Sequence, residues 1–442
     1  MNNELTVENH KHSLFTVENA AWIVVGFLAA GLRFYQLGVQ PLNEGEAMQA
    51  LAAFRFTQAG SPMAAAGTNP LLFAGNMVGF SLMGASDITA RWLPALAGLI
   101  LALLPYGLRH RLGRGGALAA SLLLALSPSA VFFSRSLDAA VVTAACGLAL
   151  VVGLINYIDT QRPGYLYGAA VALGLGLSAG SSHFSLLLIF AVFALLLYLG
   201  DRLLGHTSGW GSLVAAWDTL RSEKGLMVRA SLVLATTFAL TVTALALHPA
   251  GLGLAADLLG SWAQSFLPQP DGQPILYPIL LALRYEAIIL LLGLVEAAWV
   301  LAKRRGDPRW DTQARSAFPL TAFLAFWAAA AALIVLISGH RPAGNILLVT
   351  VPLTLLAGQG TERAVRWVTR RDLWPKAWLV AAIALGLLVF VYLQMVAYGE
   401  ASPSSVIPIA GSTVYTTFSY LMLALVALLL LIGLGIVVWI WQ

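Results

Sequence analysis

The sequence predicts an all-α fold, a polytopic bundle of about twelve transmembrane helices. Three observations predict it. Of 442 residues, 59% are hydrophobic and only 10% charged, with a mean hydropathy of +0.81; soluble domains carry about 25% charged residues. Apolar runs of span length recur along the chain, and the basic residues fall into alternate loops. This balance excludes a water-soluble enzyme, a disordered regulator and a nucleic-acid binder, despite the formal net charge of +5.

The polar N-terminus, residues 1–19, carries Glu4, Glu8 and Glu18. It lacks the basic start and small-residue cleavage site of a secretory signal, so 20–37 reads as a retained first span. Further spans are expected at 92–108, 116–134, 138–158, 165–180, 184–200, 230–248, 278–301, 317–338, 344–360, 376–398 and 417–440. Residues 20–442 thus make one membrane domain behind a cytoplasmic tail. Small residues crowd 169–182, which suits close helix packing. Cys146 has no second cysteine to pair with, so no intramolecular disulfide forms.

Orientation follows from charge. With the N-terminus inside, the cytoplasmic segments hold 19 of the 25 Lys and Arg residues; Arg55, Arg91, Arg135 and Arg341 lie outside, and Arg33 and Arg284 within spans. The excess of basic residues on one side predicts a multi-pass plasma-membrane protein with both termini cytoplasmic.

The first external loop, 38–91, is long and holds the unusual acidic residues. It opens with Pro41-Leu42-Asn43-Glu44-Gly45-Glu46 and continues into a helical run from Ala47 to Gln58. Met48, Leu51, Ala52 and Phe54 give that run an apolar face, predicting a helix at the membrane surface. The apolar run 70–84 is short for a span and reads as re-entrant or interfacial. The loop 249–277 contains Trp262 and Pro268, Pro270 and Pro274.

An ordered series of motifs resembles the GT-C superfamily of membrane glycosyltransferases. Arg91-Trp92-Leu93-Pro94-Ala95-Leu96-Ala97-Gly98 resembles its "RL-x-A-x-x-G" start of the second span. Ser127-Pro128 through Ser134-Arg135 to Asp138 resembles its "SP…YSR…D" stretch, and Gln273-Pro274 with Arg284-Tyr285-Glu286 is similar to a "QPWYY…YE" stretch. The last marks a subfamily associated with archaeal lipid-linked oligosaccharide export. The resemblance implies a GT-C-like fold and an extracytoplasmic site that moves sugar from a polyprenyl-phosphate donor to a lipid-linked or protein acceptor. It implies at most an optional divalent cation as cofactor, and it assigns no metal ligands here. Where the superfamily has adjacent Asp-Glu, this chain has Gly45-Glu46, with Glu44 one residue earlier. The subfamily's His-Gly-Pro-Leu stands here as Thr68-Asn69-Pro70-Leu71.

Each candidate has a structural and a functional reading. Glu44 and Glu46 are either carboxylates favoured by a helix N-terminus or the acceptor base with a donor or metal contact. Asp138 either braces helix ends with Arg135 or supplies a second catalytic carboxylate. Arg91 reads as a snorkelling residue or a donor-phosphate ligand. Arg341, in a tight external turn with His340, suits phosphate. Arg284 and Glu286 sit within a span and two apart, off a common face, so each is expected to face a cavity or another partner. Arg135, Glu286 and His340 complete the expected pocket. His183, His248 and His340 are external and read either as imidazole ligands beside Glu46 or Asp138 or as capping or interfacial histidines, and the lack of metal-ligand spacing favours the second. Two alternatives accompany the transferase: a catalytically degenerate GT-C subunit that binds or assembles, and a secondary transporter. Against transport stand the lack of a repeat between halves and of matching Gly/Pro-broken helices.

Overall fold

The computed structural model describes residues 16–59, 69–204, 209–268, 273–304 and 318–370. It is all-helical among these residues. The chain divides into two compact units, Met1–Glu362 and Arg363–Gln442; the described part of the second is the final turns of one helix. The expected spans 376–398 and 417–440 lie outside the described residues.

Most expected spans appear as helices with shifted ends. The first is α1 (Val17–Phe34), capped by the Thr16 hydroxyl, which accepts from Asn19 N at 3.2 Å. The long loop contains α2 (Glu44–Ala59) and α3 (Pro70–Met83). On α2 the small Ala50, Ala52 and Ala53 are buried, while Met48, Leu51 and Phe54 are exposed, as a helix with one face to lipid requires. The short α3 is buried along most of its length, against α2 and α4 (Asp87–Leu103). Ser86 and Thr89 form a capping box that fixes the start of α4. A 3₁₀ turn, Leu104–Leu108, leads to α5 (Arg109–Leu112).

The expected span 116–134 is broken. α6 (Arg114–Leu126) and α7 (Pro128–Ser134) meet at a bend of 59°, because Pro128 cannot donate the hydrogen bond that continues the helix. Next come α8 (Ala139–Thr160), α9 (Pro163–Ala179) and α10 (Ser182–Leu204). Glycines bring these backbones close: a Cβ at Gly153 of α8 would meet the Cβ of Ala169 on α9 at 2.9 Å.

The segment expected as a cytoplasmic loop holds α11 (Trp210–Ser222), set at 95° to α12 (Leu226–Val242). The following loop contains α13 (Gly251–Gln264). The expected span 278–301 is likewise two helices, α14 (Tyr277–Tyr285) and α15 (Ala287–Arg304), bent by 100° at Glu286. α16 (Leu320–Ile337), a 3₁₀ turn at Ala343–Asn345 and α17 (Ile346–Arg370) follow. Among the described residues six helices are long and apolar enough to cross a membrane, or up to nine if each bent pair is one span. The described residues therefore give a multi-pass bundle, and the count of twelve belongs to the sequence reading alone.

Candidate active site

Two arginines hold the peptide that leaves α1. Arg135 donates to the carbonyls of Leu32, Tyr35 and Gln36 at 3.1, 2.7 and 3.1 Å. Its cation thus sits at a helix C-terminus, where carbonyls and dipole favour it. Among the described residues it forms no ion pair with Asp138. Arg91 donates to Leu37, Gln40 and Pro41 carbonyls at 3.2, 2.7 and 3.2 Å.

Arg91 also holds Glu46 as a buried bidentate pair, Nε to Oε1 at 3.0 Å and Nη2 to Oε2 at 2.6 Å, both side chains 5% exposed. Glu46 is the third helical residue of a capping box. Its Oε2 accepts from Asn43 N at 3.0 Å, and its own N–H donates to Asn43 Oδ1 at 2.9 Å. Oε1 also accepts from Leu137 N at 2.6 Å. Burial opposes the charge, but the Arg91 guanidinium and the backbone donors of Asn43 and Leu137 hold Glu46 below the usual carboxylate range. Both oxygens are thus engaged. Arg91, in turn, has its charge matched by Glu46. Glu44, two residues earlier, is exposed.

Asp138 follows Leu137 and caps α8, its Oδ1 accepting from Ala140 N at 2.7 Å. The residue is exposed, with protein packed around its carboxylate. That crowding raises its pKa, the Ala140 N–H offsets part, and the negative charge of Glu46 adds to the rise. The turn before α17 closes over it. A Cβ at Gly344 would stand 3.4 Å from Asp138 Oδ1 and collide with Ala140, so only glycine permits this approach.

The same turn is stitched to the end of α13. Gly339 N and His340 N donate to Ser265 O at 2.7 and 3.2 Å, and Ser338 Oγ donates to it at 2.9 Å. Arg341 donates to Leu336 O at the end of α16 and to Gln273 O at 2.6 Å. Its partners are carbonyls, which leave the guanidinium charge unneutralised. His340 is exposed and lines a small cleft of about 50 Å³ with Trp262, Asn345 and serines at the start of α10, the end of α13 and the turn.

The breaks in the helices carry their own charges. Glu286, 2% exposed, accepts through Oε1 from Ser127 Oγ at 2.6 Å, Ser129 N at 2.9 Å and Ser129 Oγ. It thereby caps the N-terminus of α7. With Pro128 lacking an N–H and Ser129 N turned to Glu286, the carbonyls of Leu124 and Ala125 lose their helical donors. Fully buried Arg33 supplies replacements, at 3.0 and 3.2 Å. A carboxylate thus meets the helix start and a guanidinium the helix end, each matched to the dipole. Arg284 lies apart from Glu286, exposed, with its guanidinium 5.5 Å from the Tyr285 ring centroid.

The expected pocket residues therefore divide. Glu46, Arg91, Arg135 and Asp138 share one neighbourhood, extended by Gly344 and the turn of His340 and Arg341. Glu286 belongs to the helix breaks. Sequence reasoning missed Arg33 as partner of those breaks, although Ser127-Pro128-Ser129 after an apolar run signalled one. It also missed the cleft serines, which lack any spacing signal. His183 is fully buried, and His248 packs 5.6 and 5.9 Å from the rings of Phe56 and Phe73. Among the described residues no three His, Cys, Asp or Glu side chains converge as a cation site. With both oxygens of Glu46 already engaged by Arg91 and backbone donors, these residues do not fit a divalent ion.

Comparison with solved structures defines the fold: the chain folds like two membrane proteins, ArnT and the oligosaccharyltransferase AglB. ArnT from Cupriavidus metallidurans bound to undecaprenyl phosphate matches 85% of this chain at 17% identity and a TM-score of 0.53. Its apo form matches 83% at 18% identity and a TM-score of 0.51. The oligosaccharyltransferase AglB from Archaeoglobus fulgidus, solved with an inhibitory peptide and a dolichol-phosphate, matches 81% at 12% identity and a TM-score of 0.52. These matches cover 64%, 62% and 52% of the neighbours' chains. Within the fold, residues 68–217 match the family described as dolichyl-phosphate-mannose-protein mannosyltransferase. A search of curated proteins finds no match.

Proposed function

We propose that this protein is an extracytoplasmic glycosyltransferase taking a sugar from a polyprenyl-phosphate donor. The observation that carries the reading is Asp138, an exposed residue whose carboxylate of raised pKa is approached by Gly344, in the turn that follows His340 and Arg341. A general base must be reachable and must retain proton affinity, and among the three candidate carboxylates Asp138 and Glu44 are reachable while Glu46 is not. The acceptor hydroxyl attacks the anomeric carbon, Asp138 takes its proton, and the bond to the phosphate oxygen breaks with its electrons leaving on the polyprenyl phosphate. Arg341 and Arg284 are the cations assigned to that phosphate. Glu46 and Arg91 act as a positioning pair that holds Leu137, and through it Asp138, against the start of α2. The lipid phosphates held by the two neighbours support a lipid-linked donor.

A second reading has one observation in its favour. With Glu46 locked by Arg91, the acidic motif serves structure, as it would in a degenerate subunit that binds donor without transferring sugar. Purified protein supplied with radiolabelled polyprenyl-phosphate sugars and a membrane-extract acceptor distinguishes the two. Transfer is expected. Saturable donor binding without transfer from any donor favours the degenerate subunit, and neither binding nor transfer rejects both.

A further inference from the structure

We infer that the membrane edge between the start of α1 and the 3₁₀ turn after α4 binds one anionic phospholipid, its phosphate between Arg109 and Arg114 and an acyl chain over Gly26. The site lies at the opposite end of α1 from the peptide held by Arg91 and Arg135, and it does not rest on the transferase reading. A chain of contacts joins its walls. Trp22 of α1 meets Tyr106 of the 3₁₀ turn edge to face, with ring centroids 5.0 Å apart. The Arg109 guanidinium lies 4.3 Å from the centroid of that Tyr106 ring. Glu18, one turn before Trp22 on the same face of α1, lies 3.4 Å from Arg114 at the start of α6. Arg109 and Arg114 therefore flank one stripe of α1, on which Glu18 and Trp22 are about 6 Å apart along the axis.

The positive charge at this edge exceeds its carboxylates. Arg114 is 83% exposed and Glu18 28%, so one partly covered carboxylate faces two guanidiniums. Asp159 is taken up by His110 and Arg111, and Glu362 accepts from Gly116 N at 3.0 Å. Among the described residues Arg109 has no ion pair; a ring contact holds it and leaves its charge unneutralised. Two such forks suit a phosphate. Toward the membrane interior the stripe continues to Gly26, one turn beyond Trp22, where a Cβ would meet nothing within 4 Å. Ile23, Val24 and Phe27 beside it are exposed. Trp22 and Tyr106 sit between the arginines and this apolar strip, as aromatic residues do at the level of lipid headgroups. Phosphate above and hydrocarbon below describe a phospholipid. The net positive charge selects an anionic headgroup, because a zwitterionic one brings a cation of its own.

Full-length protein in detergent is titrated with phosphatidylglycerol and with phosphatidylcholine of the same chain length, and native mass spectrometry gives the Kd of the first bound lipid. Wild type is expected to bind phosphatidylglycerol about tenfold more tightly or better. Arg109→Ala and Arg114→Ala are each expected to weaken phosphatidylglycerol about fivefold and phosphatidylcholine less. Arg202→Ala removes another exposed arginine, whose guanidinium lies by Tyr198, and is expected to change neither Kd. That control separates a built site from diffuse attraction to a basic protein edge. Gly26→Leu places a side chain in the open space without altering charge, and is expected to weaken phosphatidylglycerol by displacing its chain. Thermal unfolding of the same preparations shows that each variant compared is folded. Equal binding of the two lipids by wild type overturns the site. So does phosphatidylglycerol binding indifferent to Arg109→Ala and Arg114→Ala, or weakened as much by Arg202→Ala. Binding unchanged by Gly26→Leu also overturns it, leaving only a charge contact.

Discussion

Glu46 and Asp138 are neighbours through Leu137, yet their surroundings drive their proton affinities apart. Glu46 faces a guanidinium and two backbone donors; Asp138 faces protein bulk and the negative charge of Glu46. The depressed pKa of Glu46 means that its contribution to stability is present above its unfolded pKa. It is lost as pH falls through the lower folded value, so thermal stability is expected to fall on acidification below the ordinary carboxylate range. Glu46→Gln leaves the Arg91 charge buried without its partner, a loss of about 3–5 kcal/mol. Pairing it with Arg91→Met is expected to restore most of that loss in a denaturation midpoint. Equal stability of Glu46→Gln and wild type contradicts the locked pair. At this scale the sequence was only half legible. The type and position of Glu46, Arg91, Arg135 and Asp138 were evident, but not that each arginine is turned toward the peptide between α1 and α2. Spacing along a chain does not report contacts between Arg91 and Glu46, which are 45 residues apart.

At the scale of elements, the breaks at Ser127 and Glu286 tie distant helices together. α7 is capped by a carboxylate from the α14–α15 bend, and the freed carbonyls of α6 are met by Arg33 of α1. Glu286→Leu removes the acceptor for two hydroxyls and one amide, and is expected to cost about 3 kcal/mol, given about 1–3 kcal/mol for each buried group left unpaired. Glu286→Gln, which keeps an acceptor oxygen, is expected to cost less. Thermal unfolding in detergent checks both, and equal losses would contradict the cap. Hydropathy located these helices because it registers apolar length. It passed over their bends because a proline or a buried carboxylate changes one hydrogen bond without changing the mean hydropathy. The surface helix α2 was legible in its pattern, whereas α11 and α13, within expected loops, were not.

At the scale of the molecule, the sorting of basic residues and the helical bundle agree on a multi-pass membrane protein, and the proposed orientation puts the Asp138 neighbourhood outside the cell. Two cysteine substitutions test that orientation. The backbone at Gly164 leaves open space for a side chain, and Gln40 is exposed in the first loop; the native Cys146 is buried. In intact cells a membrane-impermeant thiol reagent is expected to label Gln40→Cys and not Gly164→Cys, and the reverse would invert the topology. The transferase reading has its own most direct test in Asp138→Asn, assayed for sugar transfer and for donor binding on the same preparation. Loss of a general base is expected to lower kcat by about 100-fold or more with donor binding within about twofold of wild type. Transfer at the wild-type rate by Asp138→Asn would contradict it.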